Sequence, residues 1–284
     1  MPLTYPDQNA IIQLGRKARA AEFRKNLDAA LMSGNLTFVV SAWHLVETAN
    51  TANAESAIEL AEFIDSLNPS WILERHDIRK IEVTRDFCSF ASVQYQPPPC
   101  VTTRSAAFAA LNRQPDGPRF NIPSADFVKQ WLAHPEQLKP LEKPYQDNAE
   151  ALIRLRELRK AGEIADDFRE RIDQELIKPY VPSRSPAGLE VGRELIRDYI
   201  AQANVNSIPT IAIETAISEH EWDAQGGADR NTLIDKFHII SALPYVDEVV
   251  SSDRFFHRIF PVVQCTGHVR ARLLANDDLL SRFL

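Results

Sequence analysis

The sequence predicts an α/β fold organised on a central parallel sheet and interrupted by a large all-helical insertion. Two observations carry this reading. At both ends of the 284-residue chain, short β-branched runs alternate with amphipathic helical patterns, the mark of βαβ units. Between them, residues 86–206 show helical periodicities separated by proline-rich breaks and no convincing strand. Residues 1–85 and 207–284 therefore fold together around one sheet, with 86–206 hung from it.

Leu3, Thr4 and Tyr5 form a short first strand, and Pro6-Asp7 turns the chain into a helix reaching about Met32. Ile11, Ile12, Leu14, Phe23, Leu27, Ala30 and Leu31 recur at roughly helical spacing, and Ser33-Gly34-Asn35 stops them. Residues 36–40 are β-branched and aromatic, too short for a helix, and read as a buried strand. From Ser41 the pattern turns helical, with Trp43, Leu45, Val46 and Ala49 apolar. Residues 54–67 make another amphipathic helix, ended by Asn68-Pro69. In the middle, helical patterns cover 104–112, 124–133, 145–161, 163–177 and 187–203, and Arg and Glu at i,i+3 and i,i+4 spacing in 145–178 mark a solvated hairpin. A helix over 208–221 follows, then a Gly226-Gly227 loop at 223–228 and a helix over 231–243. A strand at 246–250, a helix over 254–259, a last strand at 261–265 and a closing helix at 277–284 complete the chain.

Hydrophobic residues make up 44% of the chain and charged ones 25%, which excludes disordered, collagen-like and fibrous classes. Apolar runs such as Ile208 to Ile213 are too short to span a bilayer, and the first residues lack a basic start followed by an apolar stretch. Cys88, Cys100 and Cys265 are odd in number and widely spaced, so neither a disulfide framework nor a zinc knuckle is expected. A cytoplasmic protein without a membrane partner is the expectation. The net charge of −7 disfavours a nucleic-acid partner until it is sorted by segment. Residues 1–50 hold five Lys/Arg against four Asp/Glu, and residues 231–284 hold six of each. The acidity belongs to the middle.

Four acids stand at comparable places. Asp7 follows the first strand, Glu47 lies on the helix after the second, Asp235 lies early on the helix entering the C-terminal strand, and Asp253 follows that strand. In an open parallel sheet, ligands bind beyond the carboxyl ends of the strands. Four carboxylates gathered there repel one another unless a cation neutralises them, and hard oxygen ligands suit Mg²⁺ or Mn²⁺. Such ions activate water and stabilise charge on a phosphoryl group.

The motifs around these acids resemble those of PIN-domain nucleases. Asp7-Gln8-Asn9-Ala10-Ile11-Ile12 resembles the family's opening Asp-Thr/Ser-Asn-apolar motif, and Ser41-Ala42-Trp43-His44-Leu45-Val46-Glu47 its second element. Asp235-Lys236-Phe237-His238-Ile239-Ile240-Ser241-Ala242 resembles the third, and Val249-Val250-Ser251-Ser252-Asp253-Arg254-Phe255 the fourth, all in the family's order. The resemblance covers about 1–66 and 208–265, roughly half the chain. It implies a three-layer α/β/α fold and a metal-dependent endoribonuclease in which Asp7, Glu47, Asp235 and Asp253 hold the ion. Asn9 and Ser251 would support them, and RNA, or single-stranded DNA, would be the partner. Two departures stand out: Gln8 replaces the usual Thr/Ser, and 188 residues separate Glu47 from Asp235. Arg16, Lys17, Arg230, His238 and Arg254 are candidates for substrate contact, although His238 also reads as a hydrogen-bonded, half-buried histidine. Two alternatives stay open: a non-catalytic PIN-like interaction module, and a phosphatase or 5′ nuclease using the same acids. A protein partner or antitoxin docked through the helical middle, and self-association into a homo-oligomer, also stay open.

Overall fold

The computed structural model describes residues 2–50, 53–111, 122–135, 157–158, 161–162, 176–184, 190–223 and 230–284. Its strands are β1 (Leu3–Pro6), β2 (Thr37–Val40), β3 (Ser70–Ile72), β4 (Val101–Thr102), β5 (Glu248–Val250) and β6 (Arg272–Leu274). They form one six-stranded sheet in the order β4-β3-β2-β1-β5-β6. Every neighbouring pair is parallel except β3 with β4. The chain is therefore α/β with a mostly parallel sheet, as the sequence predicts.

Side chains alternate across a strand, so each strand feeds two cores. On one face Phe38 and Val250 pack against Ala10 and Leu14 of α1 (Gln8–Lys17) and Phe23 and Leu27 of α2 (Ala21–Met32). On the other, Tyr5, Val39 and Val249 pack with Trp43 and Leu45 of α3 (Ala42–Ala49). Helices cover both faces, which is why successive strand positions are buried instead of alternating with exposed ones. Each fully buried Val, Leu or Phe contributes roughly 1.5–3 kcal/mol of transfer free energy.

The middle of the chain is less separate than its composition implies. α4 (Ala54–Ser66) packs against α7 (Ser124–Ala133), and Asp65 ties the two by accepting from the backbone N–H of Ser124 at 2.7 Å. Asp65 also pairs with Arg104, the first residue of α6 (Arg104–Leu111). Phe108, Phe127 and Trp131 thereby join Trp71 in the main core. α5 (Arg75–Phe90) runs through residue 86, and its Val83 and Phe87 form a third core with Tyr199 of α8 (Arg193–Gln202) and Ile211 of α9 (Pro209–Asp223). Towards the C-terminus come α10 (Arg230–Ala242), α11 (Arg254–Gln264) and α12 (Asn276–Leu280).

Several local expectations are corrected. The helix reaching Met32 is two helices, because Leu14 and Phe23 are nine residues apart, about 180° on a continuous helix. The break between α1 and α2 lets both reach the same core. Residues 261–265 are not a strand: α11 continues to Gln264 with Pro261 inside it, since Phe255, Phe256, Ile259 and Val263 keep one buried helical face. The last strand is β6 instead. β4 lies within the stretch read as strand-free. The helical patterns at 145–161 and 163–177 and the loop at 223–228 fall mostly outside the described residues. No helix among the described residues is long and apolar enough to cross a membrane.

Candidate active site at the carboxyl edge of the sheet

Asp7 is 5% exposed and caps α1, taking the backbone N–H of Ala10 on Oδ1 at 2.6 Å. Its other oxygen accepts from the buried Ser251 hydroxyl. The Ser251 Oγ in turn accepts from the backbone N–H of Asp253 at 3.0 Å. Asp253 caps α11 through the N–H of Phe255 at 2.6 Å. The same side chains that start two helices thus fix two carboxylates at the ends of β1 and β5, and one serine links them.

Glu47 reaches the edge from α3. Its Oε2 accepts from His238 Nε2 at 2.9 Å, and His238, on α10, is 1% exposed. The other ring nitrogen of His238 meets the Tyr5 hydroxyl. The Tyr5 hydroxyl also bonds Ser41 Oγ at 3.0 Å. Burial works against the charged form of His238, but the Glu47, Asp235 and Asp7 carboxylates raise its pKa above the ordinary histidine value. His44 is its opposite: Nε2 donates to the Pro6 carbonyl at 2.8 Å and Nδ1 accepts from the Ser41 N–H at 2.9 Å. Burial, aided by the His238 charge, lowers His44 to about 3 and keeps it neutral.

Asp235 differs from the other acids. It is partly buried on α10 and has no hydrogen bond or ion pair among the described residues. Burial raises its carboxyl to about 7, His238 counteracts, and Asp253, Glu47 and Asp7 each push it further up. Asp7 is also raised, by burial first and by Glu47. The other three carboxylates and His238 therefore all act on Asp235.

Carboxylate oxygens are the donor type that suits a hard divalent cation, but among the described residues no three His, Cys, Asp or Glu side chains are grouped to hold a metal ion. Glu47 already spends one oxygen on His238.

The remaining candidates separate. Ser251 is at the centre, bonded to Asp7 and Asp253. Asn9 is exposed and makes no side-chain hydrogen bond among the described residues. Arg254 is exposed beside Asp253 without an ion-pair partner among those residues. His238 is buried within the hydrogen-bond network. Arg16 and Lys17 lie in the last turn of α1, roughly 14 Å along its axis from Asp7 and directed away from the edge. Arg230 opens α10, and its side chain lies outside the described residues. Tyr5, Ser41 and His44 were not singled out as site residues from sequence; Ser41 and His44, three apart at a helix start, were the available signal. No protein-family model, curated protein or solved structure matches the chain.

Proposed function

We propose that this chain is a PIN-like, divalent-metal-dependent nuclease that hydrolyses phosphodiester bonds of RNA at the carboxyl edge of its sheet. The observation that carries the reading is the shared electrostatic neighbourhood of Asp7, Glu47, Asp235 and Asp253, centred on an Asp235 without a partner among the described residues. Asp7, Asp235, Asp253 and the free Oε1 of Glu47 would hold Mg²⁺ or Mn²⁺. Bound there, the ion would supply the positive charge that activates water and offsets charge on the phosphoryl oxygens. Ser251 orients Asp7 by donating to it, and His238 orients Glu47 while offsetting part of the acid charge. Arg254, exposed at the same edge, would meet the substrate backbone.

A second reading, a non-catalytic PIN-like scaffold, is favoured by the Glu47–His238 pairing and by the absence of a closed metal group among the described residues. One experiment separates them. Mn²⁺ is titrated into the full chain and into Asp7→Asn/Asp253→Asn while melting temperature and cleavage of labelled single-stranded RNA are followed. The nuclease reading expects Mn²⁺ to stabilise the wild type alone and the wild type alone to cut. Equal response of the two proteins with no cleavage sinks it. Single-stranded DNA and a phosphomonoester under the same conditions separate RNA cleavage from DNA cleavage or phosphatase action.

A further inference from the structure

Arg75 opens α5 three residues beyond the end of β3. Because β3 runs parallel to β2, its carboxyl end opens on the same edge of the sheet as the ends of β1, β2 and β5. The Arg75 guanidinium carbon lies 3.9 Å from the centroid of the Phe237 ring. Phe237 sits on α10 between Asp235 and His238, which joins this arginine to the acid cluster through one helix. Arg75 Nη1 donates to Glu214 Oε1 at 3.0 Å. Its other N–H groups have no partner among the described residues. Unlike the Nε atoms of Arg79 and Arg104, they are not sealed from solvent.

A guanidinium offers five N–H donors in one plane. Here one face is stacked, one corner is anchored, and the remaining donors are open, although the side chain is only 11% exposed. The usual entropic cost of ordering an arginine on binding has already been met by folding. Glu214 is shared by Arg75 and Arg79, so one carboxylate faces two guanidiniums. Glu82, further along α5, is buried and accepts from Thr210 and Tyr245. A planar cation with open donors matches the oxygens of a phosphodiester, which it can engage through two parallel hydrogen bonds.

We infer that Arg75 is a substrate-binding residue that grips a backbone phosphate of single-stranded RNA beside the carboxylate edge. The identity of the ligand rests on the nuclease reading; the geometry of the arginine does not.

The test is fluorescence anisotropy of a short fluorescein-labelled oligouridylate with the full chain, in Ca²⁺, over a range of salt. Arg75→Gln should weaken the Kd about tenfold and lower the slope of log Kd against log salt by about 0.7. Arg75→Lys should keep the slope and lose about threefold in affinity, because an ammonium neither stacks nor forks. Melting curves establish that each variant is folded. Should Arg75→Gln not fold, Arg75→Lys decides the matter through affinity alone. An unchanged Kd in the folded variants, or a wild type that does not bind RNA, overturns the inference. Cleavage in Mn²⁺ is measured alongside. Binding that depends on Arg75 in a protein that does not cut sustains Arg75 and removes the nuclease reading. Cutting with Arg75-independent binding does the reverse.

Discussion

Asp235→Asn should make this protein more stable at alkaline pH, and the gain should vanish in acid. The Asp235 carboxyl moves from an ordinary 3.8 to about 7 on folding. A rise of about 3 units corresponds to a ceiling of about 4 kcal/mol at ~1.4 kcal/mol per unit. Partial solvent access, and the need of an asparagine amide for partners of its own, reduce the expected gain to about 2 kcal/mol. The sign follows from proton binding. Between pH 3.8 and about 7 the folded state holds the proton more tightly than the unfolded chain, so stability falls as pH rises through that window. The variant does not titrate and escapes this loss. Thermal melts of both proteins in EDTA check it. At about pH 4 the curves should superimpose, and at about pH 8 the variant should melt about 4–8 °C higher for a chain of this size. A variant that is no more stable at the higher pH, or equally stabilised at both, would refute the account of an unpartnered carboxyl repelled by its neighbours. Adding Mn²⁺ should then favour the wild type, since the ion offsets what the substitution removes.

Glu248, 1% exposed on β5, accepts from Thr4 Oγ1 at 2.8 Å and is bonded by Arg272 and Arg282. Burial opposes its ionisation, but these donors hold it at about 2, so its contribution is present above about pH 4.5 and is lost as pH falls through about 2. Glu248→Gln should cost about 3 kcal/mol at neutral pH and much less near pH 2, measured by denaturant melts at both. Ser251→Ala removes the hydroxyl shared by Asp7 and Asp253, with an expected cost of about 1–2 kcal/mol. Titration of the Asp7 carboxyl by NMR should show it higher than in the wild type; an unchanged value would mean that Ser251 does not stabilise the Asp7 charge.

What was legible in the sequence follows from where the information resides. Phe38-Val39-Val40 of β2 and Val249-Val250 of β5 are apolar at successive positions because both faces of the sheet are covered, and such runs are visible without a structure. β3, β4 and β6 are two or three residues long and show no comparable β-branched run. The four acids could be found because each stands beside a strand end or on a helix flanking one, where the topology of a parallel sheet places ligands. The basic run at Arg16 and Lys17 begins nine residues after Asp7, and that separation runs along α1, so it stands at the opposite end of that helix. Arg75 was invisible for the converse reason. Its partner Glu214 is 139 residues away, and its stacking on Phe237 exists only after α5 and α10 have packed. The Tyr5–His238–Glu47 chain likewise joins residues from three distant segments.

The central position of β1 has a bearing on when the protein can act. β1 pairs on one side with β2, where Leu3 faces Thr37, and on the other with β5, where Thr4 faces Glu248 across 244 residues. Closing the longer loop costs only about 2 kcal/mol more than closing the shorter one, so equilibrium scarcely distinguishes them. Timing does. A ribosome releases β1 and β2 well before Asp235, Ser251 and Asp253, the first of which follows Glu47 by 188 residues. Until then Asp7 has no serine, Glu47 has no histidine, and the edge of the sheet is open on one side. Any chemistry at that edge is withheld from the nascent chain until β5 and its flanking helices have been translated.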